Sequence, residues 1–161
     1  MILIALGANL PSAAGPPAAT LKDALVRLAN RGVKIRALSS FYESPAWPDP
    51  ADPVFVNAVA LVETALQPVE LLTLLHGIET DYGRLRSTVN APRVIDLDLL
   101  DYDGRLMSGA VMLPHPRLAQ RAFVLVPLAE IAPSWRHPVT GQSVGELLAA
   151  LPGREACKKL A

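Results

Sequence analysis

Cysteine occurs once in this chain, at position 157. Neither an internal disulfide framework nor a thiolate metal cluster can therefore form, and a reducing compartment is compatible with that. Net charge is also missing, because 15 basic residues balance 15 acidic ones. The electrostatic basis for general nucleic-acid binding is absent. Aromatic residues are 5% of the chain, which argues against stacking platforms for a single strand. No apolar run approaches the ~20 residues that span a bilayer. The run Met1–Leu6 is short, lacks a basic leader and is interrupted by Asn9 and Pro11, so a core strand explains it better than a signal peptide. These absences predict a cytoplasmic protein with neither nucleic-acid nor membrane partners. Several catalytic signatures are missing too: a phosphate loop ending in Gly-Lys-Ser/Thr, a dinucleotide Gly-x-Gly-x-x-Gly, and a Gly-x-Ser-x-Gly elbow. His76, His115 and His137 have no zinc-ligand spacing.

What is present is an apolar chain of 161 residues, half of them hydrophobic. That length predicts one domain, residues 1–161, with a substantial core. Residues 1–6 read as a strand. Residues 17–30 carry Leu21, Leu25 and Leu28 at helical spacing, with Gly32 as a stop. Residues 33–42 read as one strand, the proline-rich 43–53 as a loop, and 54–64 as a long strand. Pro68 opens a helix whose stripe is Leu71, Leu72, Leu75 and Ile78. Residues 94–102 form a strand, 117–130 short helical turns, and 143–151 a small helix, after which the tail is expected to fray. The order βαββαβ predicts an α+β, ferredoxin-like antiparallel sheet with helices on one face and C-terminal additions.

The most informative stretch is Ile95-Asp96-Leu97-Asp98-Leu99. Side chains alternate along a strand, so the two aspartates share one face and the aliphatic residues take the other. The rise of a strand separates the carboxylates by roughly 6–7 Å. Such a pair suits divalent cations, and it equally suits the wet face of a half-exposed strand. Arginines surround it: Arg84, Arg86 and Arg93 precede it, and Arg117 and Arg121 follow. Arg84, Arg86, Arg93 and Arg121 each serve either a surface ion pair or a phosphate oxygen. Asn57 stands two residues after Phe55 on one strand face. It is either a structural amide or a reader of a heterocycle edge, with Phe55 and Phe123 as core residues or as stacking rings. His115 lies between two prolines, as a surface histidine or a donor to phosphates. Two acids with several arginines are the set that magnesium–nucleotide chemistry requires.

Five segments together resemble the 6-hydroxymethyl-7,8-dihydropterin pyrophosphokinase family of folate biosynthesis. They are Ala5–Leu10, Ser39–Pro45, Phe55–Ala58, Pro92–Leu100, and Leu113–Arg117 running on to Arg121–Leu128. The resemblance spans residue 5 to about residue 133. It implies a ferredoxin-like fold and an enzyme that moves the β,γ-diphosphate of ATP to the pterin hydroxymethyl group, releasing AMP. Matched by position, it places Asp96 and Asp98 on two magnesium ions. Phe55 and Phe123 stack on the pterin, and Asn57 with backbone near Ser44 reads its edge. Arg84, Arg86, Arg93, His115 and Arg121 serve the triphosphate, with Arg84 on a closing loop. Leu72, Leu99 and the backbone near Met112 hold adenine. A monomer acting on ATP and pterin is the expectation. The runner-up is a catalytically inactive ferredoxin-like ligand-binding or regulatory module.

The chain departs from the common family pattern in its phosphate clamp. Asn90-Ala91 replaces Trp-Gly, Ser87 stands where lysine is frequent, and Ala110 where some members carry arginine. Phe55 keeps the ring of a frequent tyrosine without its hydroxyl. The resemblance therefore implies a clamp with fewer cations.

Overall fold

The structure, a computed structural model, describes residues 1–83 and 94–161. Its elements are β1 (Ile2–Ala8), α1 (Pro17–Asn30), β2 (Lys34–Leu38), β3 (Tyr42–Ser44), β4 (Phe55–Glu63), α2 (Pro68–Asp81), β5 (Asp96–Tyr102), α3 (Ala122–Ile131), α4 (Val144–Ala150) and β6 (Lys158–Lys159). The sheet runs β5-β1-β4-β3-β6, and β2 also pairs with β4. All of these pairings are antiparallel. With β2 and β3 counted as one interrupted strand, this is the ferredoxin-like order.

β1 is buried along its whole length. It lies between β4 and β5 and is covered on both faces, which is why its sequence is continuously apolar rather than alternating. Ile2, Ile4 and Leu6 face α1 and α2, together with Val56, Leu97 and Leu99. Leu3, Ala5, Val59 and Leu100 face the opposite layer, where Leu118, Val124, Leu125, Leu128, Trp135 and Leu147 pack. Helices thus cover both faces. The expectation of helices on one face holds for α1 and α2, while α3 and α4 close part of the other.

Three further expectations are corrected. Residues 33–42 are two strands, because the Ser39 hydroxyl takes the Val59 N–H at 3.0 Å and interrupts the ladder. Residues 122–131 form a continuous helix containing Pro127, preceded by a 3₁₀ turn at Leu118–Gln120. Its sequence is apolar almost all round because sheet and α4 enclose it, so no stripe reveals it. The tail does not fray. β6 pairs with β3, and the Leu160 N–H donates to the Phe41 carbonyl at 2.8 Å.

The start of β5 is anchored to α2. Gln67 and Glu70 form a capping box at the N-terminus of that helix. At its other end Glu79, 1% exposed, accepts the N–H of Leu97 at 2.8 Å. Leu97 is the residue between the two aspartates. A register shift opposite Leu3 and Ile4 inserts an extra residue farther along β5. There Asp101, 3% exposed, accepts Trp135 Nε1 at 2.7 Å. The third acid of this strand is thereby committed to the core.

Candidate active site

The face of the sheet that α3 and α4 leave open forms a cleft of about 670 Å³. Asp96 and Asp98 both line it, while Ile95, Leu97 and Leu99 lie in the opposite core layer. The alternation read from the sequence therefore operates here. The cleft also holds Phe55, Asn57, Ser44, Arg121 and Phe123.

Asp98 is the electrostatic centre. Arg121 Nη1 donates to its Oδ2 at 3.0 Å, and His115 Nε2 lies 3.7 Å from the same oxygen. All three side chains are partly shielded, at 28%, 23% and 18% exposure. His115 is held by its backbone N–H, which donates to the Leu100 carbonyl at 2.8 Å. Its Nδ1 accepts the Arg117 N–H at 3.1 Å. A ring nitrogen that accepts carries no proton, so the Nε2–H tautomer faces Asp98. Burial pushes the His115 imidazole below its ordinary range and outweighs the upward pull of Asp98.

Arg121 is the residue before α3, and Ala122 and Phe123 of its first turn line the cleft. The N-terminus of α3 therefore borders this space, and a helix N-terminus favours anions. The Arg121 guanidinium also lies 5.4 Å from the centre of the Phe123 ring. One residue pair thus joins an anion-binding group to an aromatic face.

At the other end sits Asn57, 4% exposed. Its Nδ2 donates to Ser44 Oγ at 2.8 Å. A Cβ added at Gly7 would come within 3.2 Å of Asn57 Oδ1. Gly7 is thus the small residue that leaves room for the amide, a role that a sequence reading confined to motifs passes over. Trp47, 70% exposed, borders the cleft from the 43–53 loop, and residues of the segment Leu151–Cys157 border it too. No local pattern marks this segment, because tertiary contacts bring it to the site, among them the pairing of β6 with β3.

Arg84, Arg86 and Arg93 lie outside the described residues. The adenine candidates are placed apart from the cleft lining. Leu72 and Leu99 pack in the α1/α2 layer, Leu99 at 3% exposure, and Met112 is 54% exposed. Leu99 consequently offers a base little side-chain surface.

The donor set fits magnesium. Two carboxylates on one face supply hard oxygens, and this ion commonly takes one or two carboxylates and completes its shell with phosphate and water. Among the described residues no group of three or more His, Cys, Asp or Glu side chains could hold a metal alone.

The family model described as 7,8-dihydro-6-hydroxymethylpterin-pyrophosphokinase (HPPK) matches residues 3–133. The chain belongs to this family. A Methylorubrum extorquens 2-amino-4-hydroxy-6-hydroxymethyldihydropteridine pyrophosphokinase is 41% identical over 150 residues, covering 92% of this chain and 91% of that protein. The Synechocystis protein of the same name is 38% identical over 148 residues, covering 91% of this chain and 73% of its own length. Among solved structures, wild-type Plasmodium falciparum HPPK-DHPS with SDX-DHP superimposes with a TM-score of 0.67 at 14% identity. That likeness shows the shared fold. It covers 92% of this chain and 43% of the other. The chain likewise spans 19% of the Pneumocystis carinii folic acid synthesis protein fol1, at 38% identity.

Proposed function

We infer that this protein transfers the β,γ-diphosphate of ATP to the hydroxymethyl group of 6-hydroxymethyl-7,8-dihydropterin and releases AMP. Family membership supports the reaction. The observation that carries it in the structure is the convergence of Arg121 and His115 on Asp98 in the same cleft as Phe55, Phe123 and Asn57.

Diphosphoryl transfer needs alignment and charge neutralisation more than covalent help. In this reading Asp96 and Asp98 would hold two magnesium ions, whose charge would neutralise the polyphosphate. Arg121 and His115 leave Asp98 for phosphate oxygens as the nucleotide enters. The α3 N-terminus adds fixed positive potential. Arg84, Arg86 and Arg93 supply further cations, with Arg84 on a loop that closes to exclude water. Phe55 and Phe123 bind the pterin ring by its faces. Asn57 and the backbone near Ser44 recognise its edge, since an amide both donates and accepts. The adenine is assigned to Leu72 and the backbone near Met112, with buried Leu99 contributing little surface. The reading includes a monomer in the cytoplasm, where ATP and magnesium occur together. No helix among the described residues is long and apolar enough to cross a membrane.

Mixing the protein with magnesium, ATP and the pterin tests the assignment. AMP formed in step with pterin consumption is the expected result. Release of ADP, or no nucleotide turnover, overturns it. Asp96→Ala and Asp98→Ala should each remove turnover with circular dichroism unchanged, and full activity in either ends the metal assignment.

A further inference from the structure

The sheet order separates two ends of the cleft. At the β5 end Asp96 and Asp98 line it, joined by Arg117 and Arg121. The β3/β6 end is bordered by Leu151, Pro152, Gly153, Ala156 and Cys157, positions that bring no charged side chain to the cleft. This second border comes from beyond residue 133, where the family match stops. It is chemically suited to the hydrocarbon edge of a flat ring rather than to phosphate.

The border is fastened to the same elements that hold the ring-binding residues. β6 pairs Lys158 with Glu43 and Lys159 with Tyr42, so the tail adds an outer strand to β3, which carries Ser44. Glu130 locks the assembly from above. Its carboxylate accepts the Ser40 N–H at 3.1 Å, the Ser40 hydroxyl at 2.8 Å and the Tyr42 hydroxyl at 2.8 Å. Lys159 Nζ lies 3.6 Å from its Oε1. Glu130 stands near the C-terminus of α3, the helix whose first turn carries Phe123. One carboxylate thus ties the helix bearing Phe123 to the strand bearing Ser44 and to the tail. The Cys157 thiol is pushed up to about 11 by burial. It stays protonated near neutral pH and behaves as a small apolar surface.

We propose that the C-terminal strap Leu151–Leu160, locked by Glu130, sets the width of the pterin end of the cleft and thereby selects the ring system that enters. The proposal rests on the diphosphotransferase reading. Glu130 acts in it as a positioning residue, through the distance between α3 and β3. Ala156 acts directly, as a small side chain at the rim.

The test compares Ala156→Trp, Glu130→Ala and Glu130→Gln with the parent protein in the full-length chain. KM for pterin and KM for ATP are measured by AMP release, and pterin affinity separately by equilibrium fluorescence titration. Ala156→Trp should raise KM for pterin about fivefold or more with ATP KM within about twofold, a change a tenfold-per-1.4-kcal/mol scale makes easy to resolve. Glu130→Ala should show the same split, and Glu130→Gln should recover part of it because the amide oxygen still accepts. Pterin KM and affinity within about twofold of the parent in Ala156→Trp, at unchanged melting temperature, overturn the proposal. So does a Glu130→Ala protein that loses melting temperature without the split, since that marks a purely structural lock. Ala156 is exposed, so its variant keeps the test available if Glu130→Ala fails to fold. If the parent protein releases no AMP, the reaction assignment fails, and the titration still decides whether the strap bounds the pterin site.

Discussion

Arg121 donates to Asp98 Oδ2 across 3.0 Å. The carboxylate that the proposed reaction assigns to a cation is thus engaged by a guanidinium. In the proposed reaction Arg121 moves from this carboxylate onto a phosphate. Arg121→Ala should lower kcat/KM by about a hundredfold, the scale of losing one preorganised donor. Arg121→Lys should recover little, because an ammonium lacks the planar fork. Steady-state kinetics at saturating magnesium checks both.

Gly7 faces Asn57, the amide that the proposed reaction assigns to the pterin edge. The Cβ of Gly7→Ala would lie 3.2 Å from Asn57 Oδ1, forcing the amide to shift by a few tenths of an ångström. The expected outcome is a pterin Kd weakened about tenfold, or ~1.4 kcal/mol, with ATP affinity near that of the parent. Calorimetric titration of each ligand would reveal an unshifted amide as an unchanged pterin Kd.

Glu79 is a structural acid with a functional consequence. Glu79→Ala removes the acceptor from the Leu97 N–H between the two aspartates. A buried donor left without its partner costs about 1–3 kcal/mol. Urea denaturation should show that loss, and Glu79→Gln should show less of it. Turnover should fall with Glu79→Ala beyond what the stability change explains, because the register of Asp96 and Asp98 loses its anchor.

Glu130 gives the fold a specific acid limb. Burial pushes its carboxyl up, but the Ser40 and Tyr42 hydroxyls, the Ser40 N–H and Lys159 outweigh this and hold it below the usual 4.5. An acid lowered in the folded state binds fewer protons there than in the unfolded chain. Its contribution is complete above pH 4.5 and is lost as pH falls through the folded value. Denaturation midpoints measured from pH 6 to pH 3 should decline more steeply in the parent than in Glu130→Gln. Parallel declines would remove Glu130 from the acid response.

Much of this was legible in the chain because it depends on local period. The alternation in β5 put Asp96 and Asp98 on one face whatever lay beneath them, and the leucines of α1 fixed its buried side. Phe55 and Asn57 followed from the same two-residue repeat along β4. α3 was obscured, since a helix enclosed on most sides shows no stripe and Pro127 argues against it. β6 was invisible because two lysines carry no strand signal without a partner.

By itself the sequence determined which side chains share a face, which residues can carry charge and which segments belong to the family. Tertiary structure alone decided that Arg121 and His115 meet at Asp98, that Asp101 turns away to Trp135, and that the segment before β6 walls the cleft. Periodicity is a property of neighbours along the backbone. Convergence depends on strand order and on how the layers pack, which bring together residues far apart in the chain, 34 positions for Asp101 and Trp135 and 90 for Ser40 and Glu130.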